Sequence, residues 1–321
     1  MEARSKDKIK TGVAAVVVTF NRKLLLCMTL DALLNQIQSP DRIILVDNAS
    51  TDGTPELLLE KGYLDQKCLE YLRLPKNTGG AGGFHEGVKR AYEEEFEWVW
   101  LMDDDVIPVP SALERMLSYR DISKCIQASK SYEDGNSEGW EQWARIAQSG
   151  KRVPSKGPDH PAYIVAQTGC FEGMLIHHDV ISNIGLPDKR FFIGGDDVAY
   201  GYLASKHTQV IFIKETCFIK KIRKVGDRRL LVRLRDRFSN RRSARFYFLA
   251  VRNELLLYGY FKDIVSSNRF YTRIAKLLLE QSFVTLIFER SFNNFGSLWK
   301  GAIQGYELRD SPSREFDPGT L

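Results

Sequence analysis

Three consecutive carboxylates, Asp103, Asp104 and Asp105, close the apolar run "WVWLMDDDV". Ionised side by side they repel one another, so the cluster calls for a positive partner. Hard divalent cations such as Mg2+ or Mn2+ take oxygen ligands and keep positions for phosphate and water. Side chains alternate along an extended segment, so Asp103 and Asp105 can face one ion while Asp104 turns away. The competing reading is a solvated acidic turn, or a cap in which Asp105 opens the next helix. Coming directly after a buried-strand pattern, the cluster reads better as a metal site.

A second acidic pair, Asp196 and Asp197, follows two glycines in "FFIGGDDVAY". Adjacent carboxylates can have their pKa values pushed apart, so that one serves as general base and the other holds geometry. Capping the helix "DDVAYGYLASK" is the simpler role, and the two are compatible. In "LVDNASTDGT", Asp47 and Asn48 suit the edge of a base or ribose, although turn chemistry also favours these residue types. The glycine-rich "NTGGAGGFHEG", with Gly79 and Gly80, lets backbone approach a phosphate and opens a helix. Neither a following Gly-Lys-Ser/Thr nor the G-x-G-x-x-G spacing is present, so the loop is weak by itself. With an acidic metal site downstream it points to a diphosphate. His85 in this loop is a candidate substrate contact. His177 and His178 read as the end of a strand rather than metal ligands.

These residues need elements to carry them. "VAAVVVTF" and "DRIILVDNAS" are continuous β-branched runs, the mark of strands buried on both faces. Helical spacing follows each, "CLEYLRLP" gives a third strand, and "WVWLM" a fourth. Strand–helix alternation predicts an α/β doubly wound, mostly parallel sheet, whose ligands bind at the carboxyl ends of the strands. Asn21, Asp47, Asn77 and the triple Asp all follow strand ends. The stretch from "SYEDG" to "PDHPAY" reads as a loop over that rim, with Trp140 and Trp143 as contact residues. After about residue 226 the chain turns basic and helical.

Composition sets limits. The 321 residues are 43% hydrophobic, enough for a real core, and a net charge of +5 is too mild to imply nucleic acid. Five cysteines without a CxxC pair point to a reducing, cytoplasmic setting. The charged N-terminus lacks a signal-peptide core, and no apolar run is long enough to span a membrane.

"VVVTFNR", "LVDNASTDGT", "LPKNTGGAGGFHEGVKRA", "WVWLMDDDV", "FEGMLIHHDVISNIGLPDKRFFIGGDDVAYG" and "FYFLAVRN" occur in the order found in inverting family 2 glycosyltransferases. Over roughly residues 12 to 260 the chain resembles bacterial enzymes of the galactofuranosyltransferase and rhamnosyltransferase kind. The resemblance implies a GT-A fold over residues 12–225, a tail over 1–11, and a basic helical extension over 226–321. It implies that Thr19, Asn21, Asp47, Asn48, Asn77, Gly79, Gly80 and Asp104 line the nucleotide-sugar pocket. Asp103 and Asp105 would hold Mn2+ or Mg2+ on the donor diphosphate. Asp197 would deprotonate the acceptor hydroxyl, supported by Asp196, with inversion in one displacement. The expected donor is UDP-galactofuranose, with dTDP-rhamnose as alternative, and the expected acceptor a bacterial surface polysaccharide or lipid-linked glycan. Family members often carry a metal-ligating His where this chain has Lys220 or Lys221, and their "LR" after the base motif is "YLAS" here. Twelve Lys and Arg between Lys220 and Arg245 interleave with Leu and Phe, as in a surface that lies on anionic lipid at the inner face of the plasma membrane. An oligomer is compatible with all of this. Two other classes compete. A nucleotidyltransferase would carry a glycine-rich loop directly after the first strand, which "TFNRK" lacks. An inactive glycan-binding relative would not need the intact acidic motifs.

Overall fold

The computed structural model describes residues 10–132, 145–154, 160–220 and 243–311. Trp140, Trp143, Lys221 and the basic residues Arg223 to Arg242 therefore lie outside the described residues. In chain order the elements are β1 (Lys10–Thr19), α1 (Lys23–Leu34), β2 (Arg42–Asp47), α2 (Thr54–Glu60), β3 (Leu69–Arg73), α3 (Gly79–Glu93) and β4 (Phe96–Asp103). Then come β5 (Val106–Pro108), α4 (Ala112–Leu117), β6 (Cys125–Tyr132), β7 (Arg145–Ile146), β8 (Arg152–Val153), β9 (Tyr163–Ala166) and β10 (Met174–His177). The chain continues with α5 (His178–Ile184), α6 (Asp196–Ala204), β11 (Val210–Lys220), α7 (Ala244–Tyr260), α8 (Ser267–Phe283) and α9 (Phe292–Leu308).

Nine strands form one mixed sheet in the order β3-β2-β1-β4-β10-β6-β11-β5, with β9 also on β11. The expected parallel core is β3, β2, β1 and β4; β10 runs antiparallel between β4 and β6. β1 shows why these residues make a central strand. Val13, Ala15 and Val17 enter the apolar layer shared with α1 and α4, while Ala14, Val16 and Val18 enter the opposite layer with α3, α5 and α6. Both faces are covered, so a period-two polar pattern never appears. Each such Val contributes roughly 1.5–3 kcal/mol by leaving water.

The glycines of α3 serve this packing. A Cβ at Gly83 would come within 2.4 Å of Val18 Cγ1, and one at Gly87 within 2.3 Å of Val16 Cγ1. Spaced four apart, they lie on one helical face and let α3 approach β1 closely. Gly79 has φ +77°, and a Cβ there would meet the Phe192 carbonyl oxygen at 1.9 Å. The Ala81 N–H also donates to that carbonyl at 3.1 Å. Most of the glycine-rich stretch therefore answers to close protein packing rather than to a phosphate. Gly80 alone of the first four glycines of α3 faces open space. His85, expected as a substrate contact, is instead buried with Nδ1 2.8 Å from the Pro187 carbonyl oxygen.

The described residues fall into two compact units. One holds those up to 145 and from 154 to 220, the other 146–153 and 243–311. In the second unit α7 packs on α9, where Gly301 and Gly305 sit against the backbone of Phe248 and Arg252. Buried Glu289 accepts from Tyr247 Oη at 2.7 Å and from Asn294 Nδ2 at 2.6 Å. Among the described residues no helix is long and apolar enough to cross a membrane.

Candidate functional site

Parallel register brings the strand ends together. Thr19 pairs with Asp47, and Val18 with Asp103, so β1, β2 and β4 end on one rim. Asp47 is fully buried; its carboxylate accepts from the Ser50 N–H at 2.8 Å and Tyr71 Oη at 2.6 Å. Asn48 Oδ1 accepts from the Thr78 N–H at 2.8 Å, and its Nδ2 donates to the Gly79 carbonyl at 2.7 Å. Asn77 Oδ1 accepts from the Gly79 N–H at 2.8 Å. Asn21 adopts φ +54°, donates its N–H to Ser50 Oγ and accepts from the Thr51 N–H at 2.7 Å. These predicted pocket residues do share the rim. Their side chains fasten the loops after β1 and β2 to the entry of α3.

The acid cluster is not extended throughout. β4 ends at Asp103, and Asp104 and Asp105 form the turn into β5, so strand alternation does not separate Asp104 from its neighbours. Asp104 accepts from Thr19 Oγ1 at 2.7 Å and from Arg22 Nη1 at 3.2 Å; the same Nη1 reaches Asp105 Oδ2 at 3.1 Å. Thr29 Oγ1 pins the turn by donating to the Asp104 carbonyl at 2.9 Å. Arg22 is thus a positive partner for two of the three acids, and sequence reasoning missed it. Its signal was its place in "TFNRK", immediately past the end of the adjacent strand. Burial pushes Asp104 up to about 6 despite Thr19 and Arg22. Asp103 is pushed well above the usual carboxylate range by desolvation and then by the charges of Glu172, Asp105 and Asp104, with Lys220 opposing. Among the described residues no side chain donates a hydrogen bond to Asp103.

Glu172 was also missed. The Gly173 N–H donates to the Leu101 carbonyl at 2.8 Å, which seats this segment beside the end of β4. Glu172 Oε1 lies 2.6 Å from Lys220 Nζ, and Oε2 lies 2.8 Å from Lys130 Nζ. Burial raises its pKa, but the two ammonium groups outweigh that and bring it to about 2. Lys220 pairs across the sheet with Val106, next to the acidic turn. It is buried and ion-paired, so it is no part of an exposed basic surface.

Asp196 and Asp197 open α6 after Gly194 and Gly195, both at positive φ. Asp196 is buried and pushed up to about 8 by desolvation and by the charge of Asp197, against backbone N–H groups that favour its ionised form. Asp197 is half-buried, and its Oδ1 accepts from the Val198 N–H at 2.8 Å. A Cβ at Gly201 would meet the Gly169 nitrogen at 1.9 Å, so α6 lies directly on the segment leading to Glu172. The buried Cys170 thiol is raised by desolvation and feels the charges of Lys130, Glu172 and Asp197. Residues 168–172 thus border both acidic groups, which are about ninety positions apart in the chain.

Among the described residues no group of three or more His, Cys, Asp and Glu is arranged to hold a metal ion. Mg2+ is commonly bound through one or two carboxylates plus substrate phosphates; Asp105 Oδ2 is already engaged by Arg22 Nη1 at 3.1 Å. The carboxylate of Asp103, crowded by acids and accepting no hydrogen bond from a described side chain, fits a cation.

The raised acids predict a pH response. Asp104, Asp196 and Asp103 all have folded pKa values above 3.8, so the folded chain binds more protons than the unfolded one between about pH 4 and 8. Stability from these groups falls as pH rises through that window. Glu172 acts oppositely below its usual 4.5, and His177 and His178, lowered by burial, act oppositely up to about their usual 6.5. In a chelating buffer the thermal midpoint is expected to drop between about pH 7 and 8, above the window of the two histidines, and Asp196→Asn to flatten that drop. A midpoint that rises steadily over that range contradicts this reading.

A sequence model described as "Glycosyl transferase family 2" matches residues 14–185. The chain is 31% identical over 195 residues to "Galactofuranosyltransferase GlfT1" of Mycolicibacterium smegmatis, covering 58% of this chain and 63% of that protein. A Mycobacterium tuberculosis protein of the same name is 30% identical over 194 residues, 58% and 62% of the two chains. The match thus spans under two thirds of these relatives' own length. Among solved structures, S. aureus TarS 1-349 in complex with UDP-GlcNAc aligns with a TM-score of 0.53 at 14% identity, over 93% of this chain and 90% of that one. The mannosyltransferase PcManGT from Pyrobaculum calidifontis, in complex with GDP-Man and Mn2+, aligns with a TM-score of 0.53 at 16% identity, over 91% and 86%. At such identities the structural likeness establishes the fold alone.

Proposed function

The chain belongs to glycosyl transferase family 2, with a GT-A fold and a C-terminal helical extension, and from that membership we propose that it transfers galactofuranose from UDP-galactofuranose to a hydroxyl of a bacterial surface or lipid-linked glycan. The similarity to two galactofuranosyltransferases supports this sugar over rhamnose. The observation that carries the reading is the Asp103 carboxylate, set at the rim among acids with no described side chain donating to it.

In this reading Thr19, Asn21, Asp47, Asn48, Asn77, Gly79, Gly80 and Asp104 bound the nucleotide side of the pocket. Arg22 holds Asp104 and Asp105 against mutual repulsion. Asp103 and Asp105 would hold Mn2+ or Mg2+, which when bound supplies positive charge to the leaving nucleoside diphosphate. Asp197 takes the proton from the acceptor hydroxyl as it attacks the anomeric carbon. Asp196, largely protonated near neutral pH, keeps the pair from carrying two charges and leaves the more exposed carboxylate to act. A single displacement then inverts the anomeric centre.

A peripheral position on the inner face of the plasma membrane belongs to the same reading. Its support is the basic sequence up to Arg245, of which Lys220 is excluded by its burial. The test is turnover across a panel of UDP-, dTDP- and GDP-sugars with Mn2+, Mg2+ or chelator. UDP-galactofuranose is expected to be consumed fastest, and only with a divalent ion. Turnover of dTDP-rhamnose alone transfers the assignment to that sugar; turnover unchanged in chelator removes the metal from it.

A further inference from the structure

We propose that the second compact unit docks on anionic bilayers through the apolar face of α8 and α9, by inserting side chains rather than by charge alone. This deepens the inner-face reading above, which drew only on basic sequence. Of the sixteen large apolar side chains exposed among the described residues, eight fall between 279 and 306. Scattered apolar residues are normal on a surface, but such a concentration marks an interaction site. Leu279, Phe283 and Ile287 recur every four residues along α8 and the helical turn that continues it, Val284–Phe288. Phe292, Trp299 and Ile303 follow α9 at the spacing of one helical face. All six are between 41% and 82% exposed. Trp299 Nε1 donates to Ser282 Oγ at 3.2 Å, which brings the two stripes side by side.

The charge pattern says what covers this face. Exposed Lys276, Arg290 and Lys300 stand in the same segments, where Glu307 is the exposed acid. Residues 221–311 hold 19 Lys and Arg against 8 Asp and Glu, a net +11 in a chain whose total is +5. The rest of the chain is therefore net negative, and such an imbalance fits an anionic surface. A second copy of the chain would also cover apolar groups, but pairing it here brings two strongly positive stretches together. A bilayer satisfies both features at once. Aromatic and aliphatic side chains enter the boundary between headgroups and acyl chains, while Lys and Arg stay at the lipid phosphates. No described helix is long and apolar enough to cross a membrane, so the face lies in the plane of the interface.

Flotation of the full chain with vesicles of phosphatidylcholine, alone or mixed with phosphatidylglycerol, tests this. Wild type is expected to float with the mixed vesicles and to stay bound at about 1 M NaCl, where charges are screened beyond about 3 Å and apolar insertion is not. Phe292→Ser combined with Ile303→Ser is expected to lower the partition coefficient at least about tenfold. The thermal midpoint and nucleotide affinity should stay at wild-type values, because both side chains are already in water. Phe283→Ser, on the other helix, should weaken binding in the same direction. Variants that float like wild type overturn the proposal. So does complete release of wild type in high salt, which leaves the basic segment as the sole anchor. Sedimentation without vesicles checks the competing occupant: a wild-type dimer that the double variant turns to monomer assigns the face to a second copy. If wild type floats with no vesicle, the inner-face reading fails and this inference with it, while donor turnover tests the glycosyltransferase reading separately.

Discussion

Asp197→Asn is expected to abolish sugar transfer while leaving nucleotide affinity within a few-fold. General-base catalysis contributes about a hundred- to ten-thousandfold, and the amide cannot accept the hydroxyl proton. Asp196→Asn provides the comparison. Burial and the neighbouring charge hold Asp196 largely protonated near neutral pH, so asparagine closely imitates its resting state. Its loss of activity should be far smaller. Initial rates and nucleotide binding for the two variants decide the matter. Near-normal transfer by Asp197→Asn, or the reverse ranking of the pair, removes Asp197 from the role of base.

The second large effect is a change of opposite sign in stability and function. Asp103→Asn should raise the stability of the chelated protein at pH values where this acid is ionised, because it removes a desolvated group crowded by Glu172, Asp105 and Asp104. The same variant should lose the gain in thermal midpoint and nucleotide affinity that Mn2+ gives the wild type. Differential calorimetry with and without Mn2+ reads both. If Mn2+ raises both midpoints equally, Asp103 is not a ligand. If the variant is less stable than wild type in chelator, the crowding at this acid has been misread. A site that costs stability when empty is common where a ligand is to be bound, since the partner of the charge arrives from outside the chain.

The sheet was legible because its signals are local. β-branched runs such as Val16–Val18 mark a strand covered on both faces, and the strand–helix alternation constrains topology to a few arrangements. Strand ends were readable too, and Asp47 and Asp103 do end neighbouring parallel strands on one rim. Less legible was what each polar residue does there. Asn48 and Asn77 read as ligand contacts, yet much of their hydrogen bonding ties loops to α3. The glycines of α3 read as a phosphate cradle, yet Gly83 and Gly87 are there for the close approach of α3 to β1.

By itself the sequence determined the fold class, the family and the two acidic groups, because these depend on periodicity and on residues adjacent in the chain. Only the tertiary structure decided what faces those acids. Arg22 reaches Asp104 and Asp105 from the end of a neighbouring parallel strand, and Glu172 meets Lys130 and Lys220 across 42 and 48 positions of sequence. Coulombic partners are set by distance in space, and a lone Arg or Glu in a sequence carries no mark of the charge it will meet. The triple Asp announced that a positive partner was needed. Folding brought Arg22 to Asp104 and Asp105, and left Asp103 facing Glu172 and Lys220.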